Sequence, residues 1–472
     1  KAHDANDNIK WDVNFRTSMD SITYKMADGS ENTNPDLLTN RLWLGMAYAP
    51  SDNVFFKGKL SYLKAYGDTA NHSQSNSAMG VGFANFDWVT NENAVDNTVK
   101  VKEAYWLYKN DTLAGAQTPW TISFGRRPST DGLGANVREN MDPNSPLSHT
   151  VNVEFDGASA KFDLDKVTGI PGASFKICTG RGMTNALPRF NMSVNGADYA
   201  EDKTKTADID MYGFIAVPYD DGQYSVWVNW AKANNMIGFS AEDMTKFNAT
   251  LNGYTPDSYI AHMMDPENQL ETIQPHQLMG YQMAYAPQFK NFGDLELFTA
   301  MAKAEGIGKG INSYLDDTRV FASWAMSKTH PKSGITDMFG NPSGMLGSSE
   351  SKTGHSIWIG LNAPCPFTED GRWGIEWNKG SKYWRSVTYG EDTMAGSKIA
   401  ARGTAWEVYY NKPLAKALDL SLRYTAINYD YTGSNMFFGE DGTPYDINSA
   451  EALQMNAVKE ARDARLAVTY KF

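Results

Sequence analysis

The stretch "GRRPSTDGLGANVRENMDPNSPLS" gathers Arg126, Arg127, Asp131, Arg138, Glu139 and Asp142 into one polar segment punctuated by Gly and Pro. These side chains contain no nucleophile–base pair. Opposite charges on a short segment act through the field between them, and across a water-filled constriction such a field discriminates among solutes. Read locally, the same residues are an exposed loop held down by Arg–carboxylate pairs, and both readings stand at this point. The rest of the chain offers little covalent chemistry. His3, His72, His149, His262, His276, His330 and His355 are scattered, without HExxH or another tight metal spacing. His262 and His276 share a region with Asp265 and Glu267, which leaves a loop cation site open. No GxSxG, P-loop or nucleotide fingerprint occurs, and the glycine pair of "SFGRRPSTDGLG" reads as a turn-rich loop. Cys178 and Cys365 form no CxxC and no CxxCH, so covalent haem is excluded and a single bridge is the most they allow. An enzyme is not expected, and no cofactor or metal is.

The elements that position these groups have to be read from alternation. The chain ends "ARLAVTYKF", with Ala464, Leu466, Val468, Tyr470 and Phe472 pointing one way and Asp463, Arg465, Ala467, Thr469 and Lys471 the other. A period of two is a strand with one apolar and one polar face. Ile9, Trp11, Val13 and Phe15 oppose Lys10, Asp12, Asn14 and Arg16 in the same way. Leu42, Leu44, Met46 and Tyr48 oppose Arg41, and Val54, Phe56, Leu60 and Tyr62 oppose Lys57, Lys59 and Ser61. Trp120, Ile122 and Phe124 oppose Thr121, Ser123 and Arg127. Similar runs begin near Val151, Phe175, Ile209, Tyr224, Met279, Leu295, Ile357, Trp373, Trp406 and Leu420. "VKVKEAYWLY" is strand-like, but either register leaves Glu103 or Lys102 on the wrong face. "GFANFDWVT" reads as a flap within a long loop.

The connections alternate between short turn clusters, such as "APSDN", "PYDDG", "APQFKNFG" and "NKPLAKA", and long polar segments near 20–36, 66–97, 128–149, 182–203, 233–273, 305–352, 380–396 and 431–455. Long loops at one end and short turns at the other are the pattern of an outer-membrane barrel. The expected fold is therefore all-β: one antiparallel transmembrane β-barrel over 1–472, of about sixteen strands, with short periplasmic turns and long extracellular loops. "TRVFASWAMSK" and a partner would raise the count to about eighteen. No run approaches the roughly eighteen uncharged apolar residues of a transmembrane helix. A chain of 472 residues with net charge −12 and no basic tract is a poor partner for nucleic acid. The opening residues "KAHDANDNIKWDV" contain neither a signal peptide nor a starting Met, as expected of a processed chain whose first strand follows without a plug domain.

In lipid every backbone polar group needs a partner, so the last strand must seal against the first. Tyr470 and Phe472 are the expected closure residues, with Phe472 at the periplasmic rim. An Arg or Lys facing lipid costs about 2–4 kcal/mol at the midplane. The polar face must then be the lumen, with Arg16, Arg41, Lys57, Lys59, Arg127 and Arg423 inside and facing water. The segment 128–149 follows the fifth strand and is the expected lumen-folded constriction.

The terminal Phe after alternating apolar residues resembles the C-terminal signature of Gram-negative outer-membrane proteins, which implies recognition by the barrel-assembly machinery. "TNRLWLGMAYAPSDNVFFKGKLSYLKAYGD" followed by "SFGRRPSTDG" resembles an uncharacterised family of porin-like Gram-negative outer-membrane β-barrel proteins found in anaerobic metal- and sulfur-respiring bacteria. The matching motifs cover about the first third of the chain. The resemblance implies a location and a fold, in contact with outer-membrane lipid and lipopolysaccharide; by analogy with porins of this size, the assembly is a homotrimer. The functional expectation is a porin, a passive diffusion channel for small hydrophilic solutes or ions. The alternative is a barrel sheath around a cytochrome electron conduit, which needs a haem-bearing partner. Basic residues on the wall predict a weak anion preference.

Overall fold

The computed structural model describes residues 9–68, 98–185, 189–191, 196–198, 207–308, 310–389 and 391–472. Sixteen antiparallel strands form one closed barrel. In chain order they are β1 (Ile9–Met26), β2 (Glu31–Tyr48), β3 (Val54–Ala65), β4 (Lys100–Asn110), β5 (Trp120–Arg127), β6 (Phe155–Asp163), β7 (Ser174–Met183) and β8 (Ile209–Asp220). The ring continues with β9 (Tyr224–Gly238), β10 (Lys290–Glu305), β11 (Arg319–Pro331), β12 (Thr353–Pro364), β13 (Arg372–Gly380), β14 (Gly403–Ala415), β15 (Leu418–Tyr429) and β16 (Val458–Lys471). A two-stranded hairpin, Arg189–Asn191 with Gly196–Asp198, stands apart from it.

The period of two decides which way each side chain points. On β16, Leu466, Val468 and Tyr470 are exposed while Arg465, Ala467 and Thr469 are buried. The exposed apolar set continues round the outside through Trp11, Phe15, Phe56, Trp106, Phe124, Ile177, Trp324, Ile357, Trp406, Val408 and Leu422. An outward apolar band on a closed barrel is the surface a bilayer requires. Closure falls at the chain's two ends: Tyr470 sits opposite Phe15, and Val13 and Phe472 exchange both backbone hydrogen bonds, at 3.1 and 2.9 Å.

The expected count of sixteen is found, with different members. The run at Met279 is a short helix, Leu278–Ala284, with Met279 and Met283 exposed. Four alternating residues do not make a strand without a neighbour to pair with. The place is taken by β11, the "TRVFASWAMSK" stretch, paired on both sides. The connections shift accordingly: 239–289 and 332–352 are long, and 306–318 joins β10 to β11 at the short-turn end. The loop expected at 20–36 is mostly strand, since β1 and β2 run on to a turn at 27–30. The sixth strand starts at Phe155, so Val151 lies in the segment before it. The "GFANFDWVT" stretch lies outside the described residues.

The ambiguity at Lys102 and Glu103 is resolved by a β-bulge. Lys59 pairs with Glu103 and Leu60 with Val101, so one extra residue enters β4. Both charges then face inward and both are buried.

Candidate functional site

Between β5 and β6 the chain does not stay at the rim. In a ring of sixteen, β13 lies opposite β5, and segment 128–154 touches that far wall. Leu133, Val137 and Leu147 pack on Met301 of β10, Phe321 of β11 and Trp358 of β12. Gly134 makes this approach feasible: its φ is +104°, and a Cβ there would stand 2.5 Å from the Trp358 ring. At the tip, Arg138 Nη1 donates to Glu407 Oε1 of β14 at 2.9 Å, and Arg319 of β11 donates to Asn140 Oδ1 at 2.7 Å. Asn411 Nδ2 donates to the Arg138 carbonyl at 2.8 Å.

The returning limb follows the apolar wall. His149 bonds Ser323 Oγ at 2.7 Å and Ser356 Oγ at 2.9 Å, edge-on to Trp358 and Trp384. This burial lowers its pKa to about 3. Val151 and Val153 join Ile209, Met211, Ala231, Leu295 and Leu297, whose side chains line the inside of β8–β10. The sequence predicts a polar inner face throughout; on these strands it is instead apolar. On β8–β12 it meets the chain's own segment rather than water, so burial favours apolar residues there.

A second segment, 381–402, also enters the barrel. It pairs with the first through Val387 and Val151, with Asn152 N–H donating to the Val387 carbonyl at 2.8 Å. Its Asp392 carboxylate meets three wall arginines. Arg16 of β1 binds it through both Nη atoms, Nη2 at 2.9 Å. Arg41 Nη1 of β2 is 3.3 Å away and Arg465 Nη1 of β16 is 3.2 Å away. Arg423 Nη2 of β15 donates to the Asp392 carbonyl at 2.8 Å. Burial alone would push the Asp392 pKa up; the charges of Arg16, Arg465 and Arg41 instead hold it well below the usual carboxylate range. Further along, Lys398 Nζ contacts Glu376 Oε2 at 2.7 Å and Glu407 Oε1 at 2.6 Å. Glu407 thus ties both segments to one wall.

The residues singled out from sequence distribute over this arrangement as follows. Arg16 and Arg41 lie on the inner register but are 5% and 4% exposed and ion-paired, not facing water. Arg423 is buried beside them. Lys59 pairs with Glu103 at 3.2 Å, and Lys57 stays exposed near the short-turn end. Arg126 donates to Glu154 Oε2 at 3.1 Å, the same carboxylate that accepts from Lys102 Nζ at 2.9 Å. The Arg127 guanidinium lies 4.5 Å from the centre of the Tyr105 ring. Asp131 donates its N–H to Asn152 Oδ1 at 2.9 Å. Arg138 and Glu139 pair at 3.0 Å, and Glu139 lies 3.9 Å from Arg423. Asp142 is exposed. Sequence reasoning missed Asp20, Lys102, Glu154, Glu376, Asp392, Lys398, Glu407 and Arg465 as members of the site. Glu407 and Arg465 carried a signal, a charge on the polar parity of a strand; their partners, far away in sequence, carried none. Among the described residues no group of three or more His, Cys, Asp or Glu could hold a metal ion, and His262 bonds the Asn268 carbonyl. Cys178 and Cys365 are free.

The family described as "Protein of unknown function (DUF3373)" matches residues 31–472. The chain belongs to DUF3373. The match spans most of the barrel, well beyond the first third on which the resemblance in sequence rested. No curated protein matches it. Among solved structures, similar ones are Salmonella typhi OmpF (12% identity, 99% of each chain, TM-score 0.45) and an anion-selective porin from Comamonas acidovorans (10% identity, 98% of this chain and 100% of that one, TM-score 0.45). Pseudomonas putida OprB is similar at 11% identity over 98% of this chain and 94% of that one, TM-score 0.47. Likeness at this level adds no argument to the barrel's own topology.

Proposed function

We propose that this DUF3373 chain is a porin-type channel in the outer membrane of a Gram-negative bacterium, passing small hydrophilic solutes or ions passively. The observation that carries the reading is a closed sixteen-stranded barrel whose interior receives two chain segments. A barrel of that size encloses a lumen rather than filling it with wall side chains alone, and segments laid across the lumen set what can pass. Segment 128–149 is the constriction in this reading, narrowed further by 381–402, so conductance is low. Termini and short turns face the periplasm, the long connections face outward, and the apolar band meets lipid, with lipopolysaccharide on the outer side. The barrel-assembly machinery inserts the chain, and the functional unit is a homotrimer. No enzymatic role is proposed. The cytochrome-sheath alternative is disfavoured, because the chain's own segments cover the inner wall of β10–β14 that an inserted partner would need.

Planar-bilayer recording of the purified protein tests the reading. Steady ohmic conductance is expected, and deletion of 129–142 raises it. A folded protein that never conducts, or a visible haem spectrum on the isolated complex, overturns it.

A further inference from the structure

Asp392 is enclosed as a bound ligand would be. Its two oxygens accept from Arg16 Nη1 and Nη2, Arg41 Nη1 and Arg465 Nη1, which is all the acceptor capacity a carboxylate has. The three arginines come from β2, β1 and β16, neighbours across the barrel's closure, and each is at most 5% exposed. The wall offers more donors than the segment uses: among the described residues, Arg16 Nε and Arg465 Nη2 are buried without a hydrogen-bond partner. Arg16 makes its salt bridge with Asp392 alone among the described residues, whereas Arg465 also holds Asp20 at 2.6 Å. The carboxylate belongs to a segment between strands and not to the wall. We propose that Arg16, Arg41 and Arg465 form a binding site for a small carboxylate anion, which Asp392 occupies as an internal surrogate and vacates when a solute carboxylate takes its place.

Planar guanidinium forks match a carboxylate in two bonds at once; Arg16 makes that match to Asp392, and Arg41 and Arg465 add one bond each. If segment 381–402 withdrew without replacement, a buried cation cluster would lose its counter-charge, which is strongly unfavourable. Release of the segment and entry of an anion are therefore linked, each promoting the other. The proposal deepens the channel reading and rests on it for the solute's route. It makes permeation selective for carboxylates rather than general.

The test uses the purified full chain, as wild type and as Asp392→Ala, titrated calorimetrically with succinate, inorganic phosphate and glucose. Asp392→Ala is expected to bind succinate at least about tenfold more tightly than wild type, in keeping with ordinary coupling between sites, and to ignore glucose. Arg16→Gln added to Asp392→Ala is expected to abolish the binding. Equal or absent succinate binding in wild type and Asp392→Ala overturns the site, and tighter binding of phosphate overturns the carboxylate class. Asp392→Asn, of nearly unchanged shape, serves if the alanine variant does not fold. Succinate block of wild-type current, lost in Arg16→Gln, gives a readout independent of either variant; current indifferent to succinate overturns the proposal while leaving the channel reading intact. Anion binding as expected, without conductance in any form, supports the site and overturns the channel reading alone.

Discussion

Segment 128–154 rests on the inner faces of β8–β12 through Leu133, Val137, Leu147, Val151 and Val153, whereas segment 381–402 hangs from β1, β2, β14 and β16 through Asp392 and Lys398. The first is seated chiefly on apolar area, which is non-directional, with the buried pairs Arg138–Glu407 and Lys102–Glu154 toward its tip and its end. The second also buries Val387, Ile399 and Ala401 in apolar clusters, but Asp392 and Lys398 hold it to the wall through buried ions, where every bond depends on its partner and a missing one leaves an uncompensated charge. Two lobes of one lumen therefore differ in emphasis: a mainly apolar seat suited to a fixed obstruction, and an ionic clamp that a competing charge can open.

Glu407 is the point where the lobes meet, so its loss should have the largest effect. Glu407→Gln leaves Arg138 and Lys398 without their shared carboxylate, a cost of about 3–5 kcal/mol for a broken buried pair. Hydrogen exchange or limited proteolysis should then show both 128–154 and 381–402 loosened. Loosening of one alone would separate the lobes. Leu133→Ala should cost about 2–5 kcal/mol through lost burial and the cavity beneath Trp358. Here only 128–154 should loosen, and exposure of 381–402 to the same degree would argue against independent seats.

Acid should divide the lobes further. The folded pKa of His149, about 3, lies below the ordinary value of about 6.5. The released segment therefore binds more protons, and the seat's contribution is full above about pH 6.5 and falls away as pH drops toward 3. Asp392 has its pKa depressed, so its clamp persists as pH falls through the ordinary carboxylate range near 3.9 and fails only below it. Proteolysis between pH 7 and 4 should thus open 128–154 first; the reverse order breaks the comparison. The smallest effect is expected at Arg127, stacked on Tyr105 outside both lobes. Arg127 is half-buried, so Arg127→Glu should destabilise by about 1 kcal/mol, less than the changes above, while shifting the reversal potential in a salt gradient toward cations.

Much of the barrel was legible because its rule is local. Alternation at Ile9–Phe15, Trp120–Phe124 and Leu466–Tyr470 places each residue inside or outside without knowledge of any other strand. Where the local rule was too short, it misled: the alternation at Met279, Tyr281 and Met283 falls in the helix Leu278–Ala284, and only pairing shows β11 to be the strand. The site was half legible. Arg16, Arg41 and Arg138 stood out as charges at inward or loop positions, but Asp392 is one acid among many until the fold brings it to them from 376 residues away in the case of Arg16.

The amino-acid sequence by itself determined the class of fold, the closure of last strand on first and the outward apolar band, since lipid imposes a two-residue period on every strand and forbids a free edge. Which groups meet inside the barrel was decided by tertiary structure alone. The inner wall faces whatever the long connections bring to it, so Leu295 and Leu297 are apolar against Val151 and Val153, while Arg16 and Arg465 are cationic against Asp392. A residue's inward direction follows from its own parity; its partner follows only from how distant segments cross the same enclosed space.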